Sequence, residues 1–269
     1  MLNLDGKTVV ITAGASVMAQ HIARLMAGRG ANLVIADINL DAAESLAAAL
    51  PSAIAAECDV RSSDEVEALR SAAIDEFGAV DVVMSHAGIA SAGLVTDYTD
   101  DDWRYLLDLN VIGMARLVRT FLPAMLARKS GHFIFTSSSL AVLHGHPVGV
   151  LAAPYITSKA AVVGLAQSVA TAYREHGIGV TVFAPDATET GWAPAPVSGA
   201  DPDELRRVMS SLPRYPRHSP QDAADVLMQA LDDGSFLASA TPDHARLLHL
   251  QADSALDPAA LTSQYQTLD

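Results

Sequence analysis

Short apolar runs alternate with longer stretches of helical periodicity along most of this chain, and no other feature limits its possible folds as sharply. Apolar or β-branched runs at 8–12, 33–36, 53–57, 80–85, 132–137, 179–184 and 235–238 have the length of strands. Between them, 18–29, 40–49, 63–77, 101–128, 154–176 and 220–232 show 3.6-residue spacing and start signals such as "SSDEVEAL". Strand then helix, repeated six times, predicts an α/β fold: a doubly wound parallel sheet of about seven strands with right-handed crossovers. Such a sheet binds ligands beyond the carboxyl ends of its strands, where strand order reverses.

The 269 residues suit one large domain, expected over 1–240, with 241–269 as a helical tail of the same domain. Half the residues are apolar but only 5% are aromatic, so Ala, Val, Leu and Ile must do the packing, as in a sheet covered on both faces. A formal charge of −14 without a run of Lys or Arg argues against nucleic acid or an anionic membrane as partner. No apolar run approaches the roughly 20 residues of a membrane span. The first residues resemble neither a signal nor a transit peptide, so a cytoplasmic location is expected. The single Cys58 reads as a packed thiol. Residues 186–217 are irregular and rich in Pro and Gly, the composition of a substrate lid. Trp192, Met209 and Tyr215 would give that lid an apolar face, which hints at a hydrophobic or cyclic small-molecule substrate. Trp103 and Tyr105 are expected to pack. His144 and His146 form a His-x-His without further ligands, which reads as loop or surface rather than zinc site.

The chemistry concentrates in "PYITSKAAVVGLAQ". Tyr155 and Lys159 stand one helical turn apart on one face. A nearby ammonium favours the phenolate over the phenol, so such a pair can move a proton to or from a substrate oxygen. Upstream, "GHFIFTSSS" ends an apolar run in three hydroxyls, and Ser138 among them could hold that oxygen; Ser137 and Ser139 are close competitors. Asn110 places an amide inside an otherwise apolar helix, where it needs partners and can bend the helix or hold a water.

Together, in this order and on these elements, the residues resemble the short-chain dehydrogenase/reductase family, over residues 4 to about 240, with its Rossmann-type sheet. The resemblance implies a catalytic tetrad of Asn110, Ser138, Tyr155 and Lys159. Tyr155 would be the acid/base, Lys159 would lower its pKa and bind the nicotinamide ribose, Ser138 would orient the substrate oxygen, and Asn110 would anchor a water. "CDVR" places Asp59 and Val60 at the adenine pocket, and "SHAGI" aligns His86, Ala87 and Gly88 with a family Asn-Ala-Gly. "APDATET" puts Pro185 and Thr190 beside the nicotinamide, with Asp186 where the family has glycine. The loop Thr12, Gly14, Ser16, Val17 and Met18 would meet the pyrophosphate. Asp37 would accept from both ribose hydroxyls and repel a 2′-phosphate, which favours NAD over NADP. The long helices at 101–128 and 154–176 resemble those that pair subunits, implying a homodimer or homotetramer.

The glycine-rich loop departs from the family pattern. Aligned on Thr12, its three glycines fall on Ala13, Val17 and Ala19, and only Gly14 remains. Gly14 can take over a positive φ from Ala13, and Ala19 adds only a methyl, but the branched Val17 projects toward the expected phosphate. Acid/base machinery without an ordinary nucleotide loop leaves three readings. The first is an NAD(H)-dependent oxidoreductase acting on a secondary alcohol or its ketone. The second is a non-redox enzyme on this fold (a lyase, isomerase or dehalogenase-like enzyme) using Tyr155, Lys159 and Ser138 without nicotinamide. The third is a binding subunit with a relic site.

Overall fold

The computed structural model describes residues 2–143, 147–191, 194–212, 217–241 and 243–257. Seven parallel strands form one sheet: β1 (Thr8–Thr12), β2 (Asn32–Asp37), β3 (Ala53–Glu57), β4 (Val82–Ser85), β6 (Gly131–Thr136), β7 (Ile178–Ala184) and β9 (Leu237–Ser239). Their order is β3-β2-β1-β4-β6-β7-β9, so the direction of winding reverses between β1 and β4. The crevice beyond the carboxyl ends of those two strands is where an open α/β sheet takes its ligand.

Alternation along the strands assigns side chains to two cores. Val9 and Ile11 of β1, with Leu33 and Ile35 of β2, face α1 (Val17–Gly28), α2 (Leu40–Ala47) and α9 (Pro220–Asp233) through Ile22, Met26, Leu46, Leu227 and Leu231. Val10, Val34 and Ala36 point the other way, onto α3 (Ser63–Phe77), α5 (Gly113–Arg128) and α7 (Ala153–Tyr173) through Leu69, Leu117, Phe121, Val162 and Val169. Val9, Val10 and Ile11 are fully buried, each stabilising the fold by about 1.5–3 kcal/mol relative to exposure.

The predicted helix at 101–128 is interrupted. α4 (Asp100–Leu107) opens on a capping box between Thr99 and Asp102, a π-turn follows at Asp108–Ile112, and α5 continues from Gly113. The whole stretch Asp100–Arg128 is 29 residues long, with a mean hydropathy of 1.3 over its most apolar window. By length and composition it could cross a membrane, which corrects the expectation that nothing here reaches a span. Polar residues scattered through it hide the run from the eye, and its buried side (Leu117, Phe121, Leu122, Met125) packs into the sheet core instead.

Short elements complete the molecule. The two-residue strands β5 (Ser91–Ala92) and β8 (Ala195–Pro196) pair in parallel, which ties the irregular segment after β7 to the chain leaving β4. α6 (Ser139–Val142) follows β6. α8 (Pro202–Ser211) sets Leu205 and Val208 against Ala92, Leu94 and Leu151. In the tail, α10 (His244–Asp253) packs Leu247 on Leu143. His144, His146, Trp192 and Tyr215 lie outside the described residues. Trp103 stacks edge-on with Tyr98, but Tyr105, expected to pack, stays 48% exposed under the Arg61 guanidinium.

Candidate active site

The loop after β1 solves its geometry differently from the sequence expectation. Ala13 itself adopts a positive φ of 50°, and Gly14 does not. Gly14 is needed for closeness: a Cβ there would stand 2.8 Å from Ile35 Cγ2 and 2.9 Å from the Ile11 carbonyl. The loop is then pinned to β2, since the Gly14 N–H donates to the Ala36 carbonyl at 2.9 Å and the Ala15 N–H donates to Asp37 Oδ2 at 3.0 Å. The other Asp37 oxygen accepts from the Asn39 N–H at 3.0 Å. The carboxylate thus sits at the end of β2, facing the loop. Ser16 caps α1 by accepting from the Ala19 N–H, Met18 and Ala19 are buried, and Val17 keeps 41% of its surface exposed at the helix start.

Thr12 joins the two strands at the winding reversal. Its Oγ1 accepts from the N–H groups of His86 (3.1 Å) and Ala87 (3.2 Å). The His86 ring reaches across to β6, with Nδ1 3.0 Å from Thr136 Oγ1. Burial, then the nearby Lys159 charge, push the imidazole down to about 4, so His86 is neutral at physiological pH. Gly88 allows a close approach of the lysine: a Cβ there would stand 2.8 Å from Lys159 Nζ. Asp59 is paired with Arg61, whose guanidinium holds its carboxyl below the ordinary range. Val60 is buried beneath Gly113, where a Cβ would meet Val60 Cγ2 at 2.8 Å.

Three-dimensional partners sort out the serines. Ser137 donates to the Lys159 carbonyl at 2.8 Å, inside the β6–α7 packing. Ser139 donates to Asp186 Oδ1 at 3.1 Å. Ser138 caps α6, accepting from the Leu140 N–H at 3.3 Å, and its side chain stands beside the Tyr155 phenol. Burial raises the pKa of the Tyr155 phenol above its usual value, and the Ser138 side chain pulls it partly back. Lys159 is almost fully buried, donates from Nζ to the Thr136 carbonyl at 2.9 Å, and lies 5.9 Å from the Tyr155 ring centroid. Burial pushes its ammonium down to about 8. Ser138 is the neighbour that counteracts burial at the phenol.

Asn110 is fully buried in the π-turn. Its Oδ1 accepts from the Ile89 N–H at 2.9 Å, and its Nδ2 donates to the Ile89 carbonyl and to Ser158 Oγ, both at 2.9 Å. Both amide hydrogens are spent on protein. The side chain braces α7, because Ser158 Oγ donates in turn to the Tyr155 carbonyl at 2.7 Å. Ser158, Thr136 and Gly88 are thus structural parts of the site, and only Gly88 was visible in the sequence.

After β7, the Pro185 carbonyl accepts from the Ser139 N–H at 3.3 Å. Asp186 turns toward Ser139, and the Thr190 N–H donates to the Thr188 carbonyl at 2.9 Å. Asn110, Ser138, Tyr155, Lys159, Thr12, His86, Ala87, Gly88 and Pro185 thus form one connected network. Asp37 with the loop of Gly14, Ser16, Val17 and Met18 forms its neighbour along the sheet edge, and Asp59 with Val60 lies beyond β3. Lys159 has no carboxylate partner among the described residues, and its Nζ packs where a Cβ at Gly88 would stand.

The family model for short chain dehydrogenases matches residues 7–197. The chain is 32% identical over 246 residues to the oxidoreductase UcpA of Salmonella typhimurium, covering 88% of this chain and 92% of that protein. It is 33% identical over 192 residues to 2,5-dichloro-2,5-cyclohexadiene-1,4-diol dehydrogenase of Sphingobium indicum, covering 71% and 76%. A crystal structure of a short-chain dehydrogenase/reductase from Burkholderia phymatum in complex with NAD superposes with a TM-score of 0.79 at 25% identity, covering 96% of this chain and 98% of that one. This chain belongs to the short-chain dehydrogenase/reductase family and is an oxidoreductase of it.

Proposed function

We propose that the protein is an NAD(H)-dependent oxidoreductase interconverting a secondary alcohol and its ketone, with Tyr155 as the acid/base. The observation that carries this reading is the placement of Lys159 Nζ 5.9 Å from the Tyr155 ring centroid, one helical turn along α7, with the Ser138 side chain beside the phenol. Burial keeps Tyr155 protonated near neutrality, which suits it to give its proton to a carbonyl oxygen as that oxygen gains charge. In the other direction the phenolate must form, and the Ser138 side chain together with a charged Lys159 favours it. Ser138 holds the substrate oxygen beside the phenol. His86 and Thr136 keep the carbonyl on which Lys159 rests in place. Asn110 and Ser158 hold the start of α7, and with it the Tyr155 backbone.

The residues fit a nicotinamide dinucleotide. Lys159, with one donor engaged at Thr136 and space left by Gly88, would hold the nicotinamide ribose, with Pro185 and Thr190 beside the ring. Asp37 would accept from the adenosine ribose and disfavour a 2′-phosphate, so NAD is preferred to NADP. Ser16, Val17 and Met18, at the start of α1, would meet the pyrophosphate. When bound, the cofactor supplies or accepts the hydride.

An apolar cluster of Ala92, Leu94, Leu151, Leu205 and Val208 supports a hydrophobic or cyclic small-molecule substrate, as does the relative named for a cyclohexadienediol. The exposed Tyr105 and Ile112 on α4 and the π-turn support pairing of subunits into a homodimer or homotetramer. The acidic charge of −14 supports a protein that takes neither nucleic acid nor an anionic membrane as partner.

Val17 at the loop favours one second reading, a lyase, isomerase or dehalogenase-like reaction by the same Tyr155 site without a dinucleotide. Titrating NADH and NADPH against the protein and following nicotinamide fluorescence decides between them. Micromolar NADH binding with much weaker NADPH binding supports the redox reading. Binding of neither, with turnover that depends on Tyr155, supports the second.

A further inference from the structure

The grip of Asp186 on Ser139 has no part in the reaction described above. Where the family resemblance expects a glycine, this chain has a carboxylate with three neighbours, and a fourth contact falls on the same residue's backbone carbonyl. Asp186 Oδ1 accepts from Ser139 Oγ at 3.1 Å and from the Ala187 N–H at 2.8 Å. Asp186 Oδ2 lies 3.9 Å from His218 Nε2. The Asp186 carbonyl accepts from Thr188 Oγ1 at 2.8 Å. His218 is itself fixed to the same turn: its N–H donates to the Ala187 carbonyl at 2.8 Å, and its carbonyl accepts from the Glu189 N–H at 2.9 Å. The carboxylate is therefore held from one side and holds Ser139 on the other.

Ser139 directly follows the serine that meets the phenol and is the first residue of α6. Its N–H is taken by the Pro185 carbonyl, so backbone and side chain are both tied to the end of β7. With Ser139 fixed at two points, the peptide plane carrying Ser138 has little freedom. The short helix it begins is anchored on the same two residues, since the Ala141 and Val142 N–H groups donate to the Ser138 carbonyl and the Leu143 N–H to that of Ser139.

We propose that Asp186 is a positioning residue for the Ser138–Tyr155 pair, acting through Ser139 and braced by His218. It sets the direction in which the Ser138 hydroxyl meets the phenol. The inference rests on the reading of Ser138 and Tyr155 as the reacting pair. A glycine at 186 leaves the Ser139 hydroxyl without its acceptor and lets the turn before α6 rotate. Asparagine keeps an acceptor oxygen for Ser139 and Ala187 while removing the charge.

The test compares Asp186→Gly, Asp186→Asn and Ser139→Ala. Hydrogen–deuterium exchange of the ligand-free protein reads the grip without substrate or cofactor. Asp186→Gly and Ser139→Ala should speed exchange of the 141–143 amides about tenfold, the loss of roughly one hydrogen bond's worth of protection. In turnover of a cyclic secondary alcohol, both should lower kcat about tenfold with KM within about twofold, as for an interaction made chiefly in the transition state. Both should also move the pH-profile limb set by Tyr155 upward, and Asp186→Asn should restore kcat and exchange to within about threefold of wild type. Wild-type exchange at 141–143 in Asp186→Gly would overturn the proposal, as would an effect confined to KM or an asparagine variant as impaired as the glycine one. Should Asp186→Gly not fold, Ser139→Ala and Asp186→Asn carry the same comparison. If turnover survives in Tyr155→Phe, the redox reading falls while the exchange result still decides whether Asp186 holds α6.

Discussion

Alanine at position 88 should disable the lysine without touching it. A Cβ there would stand 2.8 Å from Lys159 Nζ and 3.3 Å from Asn110 Oδ1. Gly88 does not use a positive φ, so the added methyl brings no backbone strain and the clash is the whole perturbation. Ordinary contact needs about 3.5 Å, so the amine must retreat by roughly 0.7 Å. It is almost fully buried and bonded to the Thr136 carbonyl at 2.9 Å, and Asn110 beside it is locked to Ile89 and Ser158. A shift of that size is the difference between a good hydrogen bond and a broken one. Losing a bond from a charged donor costs about 1.5–3 kcal/mol. If the lysine acts in the transition state, kcat/KM falls by about tenfold to a hundredfold. Steady-state kinetics of purified Gly88→Ala, with a thermal melt to establish folding, give the answer. A folded variant with wild-type kcat/KM would refute the placement of Lys159 in the reaction.

Further outcomes follow from the same geometry. Val17→Gly should strengthen NADH binding, read by nicotinamide fluorescence, because it clears the exposed branched side chain from the start of α1; unchanged or weaker binding would mean the phosphates take another path. Ala13→Gly should raise stability by about 1 kcal/mol, or roughly 2–4 °C in Tm, since Ala13 occupies a left-handed φ of 50°. A drop in Tm would contradict that backbone. Burial holds His86 and His132 neutral, pushing each from 6.5 down to about 4. The unfolded chain takes up protons near pH 6.5 that the folded one refuses until about pH 4. Stability is therefore full above that range and falls on acidification, by up to roughly 2 kcal/mol per histidine at pH 5. A urea midpoint that does not fall between pH 7 and pH 5 would exclude this.

The sheet was legible because burial on both faces forces near-continuous apolar strands, and Val9 to Ile11 or Leu33 to Ala36 can be little else. The pairing of Tyr155 with Lys159 was legible from their shared helix face and Ser138 from its place at a strand end, whereas the full tetrad came from the family resemblance. What escaped depends on contacts between distant segments. Nothing in "TAGAS" says which small residue turns left-handed; closeness to Ile35 requires Gly14 to have no side chain and leaves the strained φ to Ala13. The helix over 101–128 breaks into a π-turn because the Asn110 amide is drawn to Ile89 and Ser158. Asp186 and His218 lie at opposite ends of an irregular segment, and only folding makes them neighbours of Ser139.

The central claim is that the Tyr155 phenol moves the proton while the rest of the site holds the ligands. Tyr155→Phe removes one oxygen and leaves Lys159, Asp37 and the loop in place. The account predicts NADH binding within about twofold of wild type and a kcat lower by at least about a hundredfold for interconversion of a cyclic alcohol and ketone. A phenylalanine variant that turns over at the wild-type rate would contradict it.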